Sequence, residues 1–303
     1  MPGYHLPLFT AAANGIWAKH RVAVDLVEPF PGPSNAKAVA AGRYDVCLTS
    51  VAHFVRAKYE EQALAARFVF MVARETHLAA FVIDRRPAVH GQPIRDIKGL
   101  AGASYLGERE SGFVREYLAL LRWLELEPGA AVAVPYEEQF EALARGKADV
   151  GIDFLDLQPR FEAALESGQR LRPLPFFEAG LRLYGSGLVA STRVIEARPE
   201  AVRRLVSAFR EALTATREGP AAGLAELCRR FPATDRERAL AGWRAGSPLI
   251  FDWGELGAMD RETWKRTLAH FAAVHDASPL EVEAVFDGTF VNAQAEGVAA
   301  ARP

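Results

Sequence analysis

The chain has 303 residues, 36 lysines and arginines against 38 aspartates and glutamates, a net charge of -2, and half of its residues hydrophobic. Such a composition excludes a disordered or fibrous chain, and near-neutral charge excludes the electrostatic footprint of a nucleic-acid binder. The length favours two lobes over one core.

Met1-Pro-Gly-Tyr-His5 carries no basic region followed by an apolar run, so no secretory signal is expected in it. Leu6-Pro-Leu-Phe9 reads as the end of a strand giving way to a helix, as if the chain were entered past its natural start or began as a mature segment. Val22–Val27 reads as the next strand. A near-repeat then organises the chain. Residues 38–48 read A-V-A-A-G-R-Y-D-V-C-L and residues 142–152 read A-L-A-R-G-K-A-D-V-G-I, each position offset by 104 residues. In each copy an Ala-rich helix stops at a glycine suited to a left-handed cap, Gly42 or Gly146. A basic residue follows beside the helix's negative end, then a turn aspartate (Asp45, Asp149), then a short apolar strand.

The upstream elements match too, since residues 2–20 and 102–124 both read as strand end, loop and helix. Two such units suggest two α/β lobes. Further strands are expected at Arg67–Val72, Leu78–Asp84 and Leu188–Ser191. Amphipathic helices are expected at Glu200–Ala215 and Asp260–Val274, and Ser278-Pro-Leu-Glu281 reads as a capping box. The last dozen residues read as a loose tail. No stretch approaches the ~20 apolar residues that span a bilayer.

Several segments resemble one group of proteins. They are Pro7-Leu-Phe-Thr-Ala-Ala-Ala-Asn-Gly-Ile-Trp17, Val24-Asp-Leu-Val-Glu28, Ala40-Ala-Gly-Arg-Tyr-Asp-Val-Cys-Leu-Thr-Ser50 and Ile97-Lys-Gly-Leu-Ala-Gly-Ala-Ser-Tyr105. Tyr184-Gly-Ser-Gly-Leu-Val-Ala-Ser-Thr192 and Arg198-Pro-Glu-Ala-Val-Arg-Arg-Leu-Val-Ser-Ala-Phe209 continue the pattern. The group is the periplasmic solute-binding proteins of nitrate, sulfonate and taurine importers, together with the thiamine-pyrimidine-synthase-like proteins. The resemblance implies a type II periplasmic-binding-protein fold: two α/β lobes with a ligand cleft between them and a helical C-terminal region. Lobe one would hold residues 1–90 and 186–303, and lobe two residues 91–185. The chain would cross near 85–97 and return near 180–187, with Gly185 and Gly187 as hinge-like positions. The implied function is capture of a small organic molecule by lobe closure, for a membrane permease of an ABC importer. On that reading the protein is extracytoplasmic, monomeric, without cofactor and not itself membrane-spanning; a cytoplasmic location is the alternative.

Candidate ligand contacts follow the repeat strands, where strand ends and helix starts offer free N–H groups. After the first strand come Ser50, a good N-cap, and His53, within the first helical turn; after the second come Asp153, Phe154 and Asp156. The resemblance matches His53 to a histidine of the thiamine-pyrimidine-synthase-like members. Glu108 and Ser111 lie on a glycine-containing loop, residues 107–113, that resembles a phosphate-contacting loop of those members, although no Walker or dinucleotide glycine motif is present. Ser34 or Asn35 would cap a helix looking into the cleft. Pro7 and Phe9 belong to the N-terminal match, Arg74 and His77 to a strand connection at the cleft edge, Glu178 to a loop from lobe two, and Tyr184, with Trp17 second, to an aromatic wall.

Asp153, Asp156, Glu178, Glu75 and Glu108 against Arg74 and Arg109 favour a neutral or partly cationic ligand, such as a nitrogen heterocycle or thiamine-precursor-like compound, over sulfonate or nitrate. Enzymes on the same fold are the alternative, either pyrimidine-synthase-like or sulfinate-desulfinase-like, and a cytosolic ligand sensor is a second one. The cysteine-rich motif of the former has no counterpart, since Cys47 and Cys228 stand alone. Cys47 sits inside an apolar strand, where a thiol is inert. His5 and His20 are too scattered for a metal site.

Overall fold

Chain order in the computed structural model, which describes residues 5–27, 32–84, 86–88, 91–108 and 111–291, begins with helices α1 (Leu6–Ala13), α2 (Ile16–Lys19) and α3 (Ser34–Ala40). Strand β1 (Val46–Ser50), α4 (Val51–Glu60), β2 (Ala66–Ala73) and β3 (Leu78–Ile83) follow. Next come β4 (Tyr105–Leu106), α5 (Gly112–Trp123), β5 (Ala131–Val132), α6 (Gln139–Ala144), β6 (Gly151–Phe154), α7 (Gln158–Ala164) and β7 (Leu171–Pro175). After β8 (Ser186–Ser191) the chain is helical, through α8 (Thr192–Ala197), α9 (Pro199–Glu218), α10 (Ala221–Arg230), α11 (Arg236–Gly246), α12 (Pro248–Phe251) and α13 (Arg261–Val274).

Both copies of the repeat form the elements expected of them. Gly42 and Gly146 close α3 and α6 with φ of +72° and +71°, the left-handed geometry that glycine adopts without a Cβ penalty. The cation at the second helix end comes from further away than expected. Arg86 donates to the Leu143 and Ala144 carbonyls of α6, and Arg193 packs over Gly42. The turn aspartates are anchored, Asp45 by Arg198 at 2.7 Å and Asp149 by the Ser104 hydroxyl at 2.6 Å.

The matched strands β1 and β6 lie in different sheets. One sheet has the order β1-β8-β2 and another β6-β3-β7, all antiparallel, while β4 and β5 pair in parallel. Phe54, Phe68, Phe70, Phe209 and Trp264 fill the core of the first sheet, and Tyr105, Tyr117, Leu120 and Phe176 a core of the second. A further apolar group of the second sheet, with Phe81 and Phe161 stacked at 4.5 Å, also takes in Leu249 of α12. Trp264 is fully buried and stacks on Phe286 at 5.7 Å; burying such a ring is worth about 2–3 kcal/mol.

Because β2 belongs to the first sheet and β3 to the second, the chain changes sheet at Arg74–His77, earlier than the expected 85–97. Consecutive apolar strands usually pair with each other, and nothing local marks these two as exceptions. The return falls between Leu183 and Tyr184, where membership of the two cores switches.

Other expectations are corrected. Leu6–Phe9 is already helical, with Pro7 in the first turn; the expected strand end at residues 2–4 lies outside the described residues. Val22–Val27 alternates half-buried and exposed residues but forms no strand. Ser278–Glu281 starts no helix: only the single turn Val282–Ala284 follows, and the Ser278 carbonyl instead accepts from the Tyr59 hydroxyl at 3.0 Å. The tail, residues 292–303, lies outside the described residues.

Gly185 and Gly187 are sites of close approach with ordinary φ. A Cβ on Gly187 would stand 2.4 Å from the Phe70 carbonyl oxygen, which is sheet backbone and cannot give way. Gly187→Ala is therefore expected to cost at least about 2 kcal/mol of stability. Gly219→Ala, with nothing within 4 Å, is expected to stay within about 0.5 kcal/mol in the same urea titration.

Candidate functional site

The ends of the two sheets meet at a short strap. In the first sheet Ser186 pairs with Ser50 on one side and Ala73 on the other. Next to them Gly185 donates its N–H to the Ala73 carbonyl at 3.0 Å and accepts the Val51 N–H, the first of α4, at 2.8 Å. The strap residue His77 accepts the Leu155 N–H at 2.8 Å, just after β6. Its ring lies 5.1 Å from that of Phe154, which Phe113 at the start of α5 meets edge-on at 4.9 Å. The starts of α4 and α5 and the end of β6 thus converge from separate sheets on residues 74–77 and 184–186.

Local sequence explains the pieces. Ser50 caps α4, its hydroxyl accepting the His53 N–H at 3.2 Å, and Ser111 caps α5 through the Val114 N–H at 3.3 Å. His53 is half-buried on α4, and desolvation, helped by the Arg56 charge, lowers its pKa to about 4. His77 is buried and also lowered to about 4 by desolvation, partly offset by a backbone hydrogen bond to Gly185. Both rings are neutral at pH 7.

The carboxylates do not act as one cluster. Asp153 is fully buried and accepts from the Gln139 amide at 2.7 Å, the Tyr136 hydroxyl at 3.0 Å and the Phe154 N–H at 2.8 Å. Burial still raises it to about 6. Glu75, also buried and raised, pairs with Arg182 at 3.1 Å. Glu108 and Glu178 are exposed, and Arg109 lies outside the described residues. Asp156 differs from all of these. It is buried against α11, neither oxygen has a hydrogen-bond partner among the described residues, and desolvation followed by the Asp153 charge raises it to about 7. The mixture of charges expected at a cleft mouth is thus mostly internal pairing and solvated surface.

Of the other candidates, Arg74 reaches the strap but donates to the Trp253 carbonyl at 2.8 Å and faces Asp260 at 3.8 Å. Tyr184 is core, its hydroxyl donating to the Asp260 carboxylate at 3.0 Å and accepting the Asp260 N–H at 2.7 Å. Pro7 and Phe9 are buried in α1, where Phe9 packs edge-on against Phe231 at 5.9 Å, and Trp17 is likewise in the core. Ser34 and Asn35 lie in the first turn of α3 without capping it, because Pro33 holds the N-cap position. Ser186, fully buried with no partner for its hydroxyl among the described residues, and Phe113 were missed. Nothing in the run Ser186–Ser191 singles out Ser186, whose place beside Ser50 depends on strand pairing.

A groove of about 620 Å³ lies elsewhere, along the outer edge of the first sheet, and none of its lining residues belongs to the strap. Among the described residues no group of three or more His, Cys, Asp or Glu is placed to hold a metal, and no helix is long and apolar enough to cross a membrane.

The family model described as NMT1/THI5 like matches residues 3–222. The chain belongs to the NMT1/THI5-like family. Its fold is that of periplasmic binding proteins. The aliphatic sulphonate binding protein SsuA of Escherichia coli superposes with a TM-score of 0.72 at 17% identity, over 94% of this chain and 89% of that one. A zinc-bound ligand-binding component of an ABC-type import system from Staphylococcus aureus gives 0.66 at 11% identity, over 95% and 94%. The desulfurization enzyme DszB gives 0.61 at 17% identity, over 96% of each chain. At these identities the likeness establishes fold alone. No curated protein matches the chain.

Asp156 gives a pH test. Its folded pKa, about 7, lies above the ordinary aspartate value, so its contribution to stability is present at low pH and is lost as pH rises from about 4 to about 7. His53 and His77, lowered to about 4, act in the opposite sense between about 4 and 6.5, so the aspartate's part is read by difference. Relative to wild type, Asp156→Asn is expected to gain stability by a few kcal/mol between pH 4 and pH 8, about 1.4 kcal/mol for each pH unit between the ordinary and the folded pKa, in urea titrations at stepped pH.

Proposed function

We propose that the protein is the substrate-binding component of an ABC importer and closes two lobes on a small organic molecule at the strap. One observation carries the reading: two repeat units in separate sheets each deliver a strand end and a helix start to the crossing of two chain segments, the first to Gly185 and Ser186 and the second to His77. Ligands of open α/β sheets bind where such ends converge. On this reading lobe one comprises residues 5–73 and 184–291 and lobe two residues 78–183, with Arg74–His77 and Gly185 between them. Closure about that link brings His53 and Ser186 towards Phe113 and Phe154.

The chemistry supports a neutral guest. The histidines are uncharged at neutral pH, Arg74 donates to the Trp253 carbonyl and faces Asp260 at 3.8 Å, Asp153 is satisfied internally, and Glu75 is paired with Arg182 through one oxygen. Neutral imidazoles, a hydroxyl and two aromatic faces suit a nitrogen heterocycle better than a sulfonate or nitrate, which needs unspent cationic donors. The Cys47 thiol is pushed up to about 12 by burial and lies on β1 away from the strap, so it supports no nucleophilic step. The partner of the loaded protein is a membrane permease, and the location is extracytoplasmic.

A thermal-shift screen of small heterocycles is expected to give saturable stabilisation without turnover, with a smaller radius of gyration in X-ray scattering once the ligand is bound. His53→Ala and Phe113→Ala are each expected to weaken that binding about tenfold or more while moving the apo melting temperature by no more than about 2 °C. Consumption of the stabilising compound, or unchanged affinity in both variants, contradicts the assignment.

A further inference from the structure

Lobe two brings three parallel strand ends to one edge, and the proposed ligand site uses only two of them. β4 runs parallel to β5, and Tyr105 of β4 also bridges in parallel to Val150, which leads into β6. Ligands of open α/β sheets sit beyond the carboxyl ends of such strands. From that edge the chain runs to Phe113 after β4, through residues 133–136 after β5, and through 154–156 after β6. Phe113 and Phe154 stand on the first and third of these segments. The middle one ends on Tyr136.

Among the described residues only Val27, Trp123 and Tyr136 are large apolar side chains left exposed, and Tyr136 is 43% exposed. An exposed tyrosine ordinarily keeps its hydroxyl in water. This one donates to the fully buried Asp153 carboxylate at 3.0 Å, and its ring meets that of Phe140 edge-on at 6.1 Å. The ring is therefore held at two points with one face still open. Asp153 is itself fixed, since it accepts the Gln139 amide at 2.7 Å and the Phe154 N–H at 2.8 Å. Burial of the hydroxyl end first, then the charges of Asp153 and Asp156, raise the Tyr136 hydroxyl, which stays a donor. Asp156 in turn lies against Gly246 of α11, so Tyr136 stands where lobe two faces a helix of lobe one.

We propose that Tyr136 is a further ligand-contacting residue, a platform for a flat face of the guest, and that Asp153 is the residue that positions it. The inference rests on the two-lobed reading and adds an aromatic wall from a strand end which that reading leaves out. A ring already held in place loses little freedom when a guest arrives, so its contact area converts to affinity at low cost. Asp153 touches no guest. Its oxygens are taken by Gln139, Phe154 and Tyr136, and it acts through the last of these.

The test uses two neutral probes of similar size, planar benzamide and puckered cyclohexanecarboxamide, titrated into the full chain with carbon-labelled aromatic side chains. Benzamide is expected to shift the Tyr136 ring signals saturably and to bind about threefold or more tighter than cyclohexanecarboxamide. Tyr136→Ala is expected to weaken benzamide about tenfold or more. Tyr136→Phe keeps the ring but loses its anchor, so it weakens benzamide about threefold and raises the Asp153 carboxyl, read by carbon resonance, above its value of about 6. Asp153→Asn weakens benzamide in the wild type and has no further effect on the Tyr136→Ala background. A purely structural Tyr136 would move the Asp153 carboxyl and leave both affinities unchanged, which overturns the inference. Equal affinity for the two probes overturns it too. Benzamide that shifts Phe113 or Phe154 but not Tyr136 removes this inference alone, whereas benzamide that shifts none of the three contradicts the ligand site as well.

Discussion

Gly185 gives its N–H to the end of β2 and its carbonyl to the start of α4, so one residue joins the last strand of the first sheet, the second strand and a helix. A Cβ there would lie 2.3 Å from the Glu75 carbonyl oxygen and 2.9 Å from the His77 ring. Only glycine permits the return strand to pass this close to the outgoing link. Everything at the candidate site is placed relative to that crossing: Ser50 and His53 through Val51, Ser186 as its chain neighbour, and Phe154 through the His77 ring. The two sheets are separate, with the outgoing and returning segments packed together where they cross.

Helices beyond β8 hold the remaining contacts between the halves. Gly246 of α11 lies against Asp156, and Leu249 of α12 joins the apolar group around Phe81 and Phe161. Arg182 spans a strap carboxylate, Glu75, and the face of Trp253 at 4.2 Å. α11 also packs against α7, and α13 against α5, so the C-terminal helices bridge both sheets.

The sequence displays whatever depends on neighbours along the chain. Apolar runs identified β2, β3 and β8, helical spacing identified α9 and α13, and the Gly42 and Gly146 repeat located β1 and β6 with their helix caps. Pairing between distant segments was not legible. Membership of β3 in the second sheet depends on its register with β6 and β7, some 70 to 95 residues away. Asp153 reads as a free carboxylate until Tyr136 and Gln139 fold onto it, and Tyr184 reads as a cleft wall until Asp260 takes its hydroxyl. The strap segment itself, Arg74-Glu-Thr-His77, stood among the candidates, but its role as the sheet crossing follows only from the topology.

Backbone amide exchange, measured with and without the first small molecule that stabilises the protein, tests the two-lobed clamp most directly. Bound ligand is predicted to slow exchange together at residues 50–54, 153–156 and 184–187, three segments drawn from both sheets and the link between them. Protection confined to one sheet, or appearing only along Val22–Val27 and β1, would contradict it.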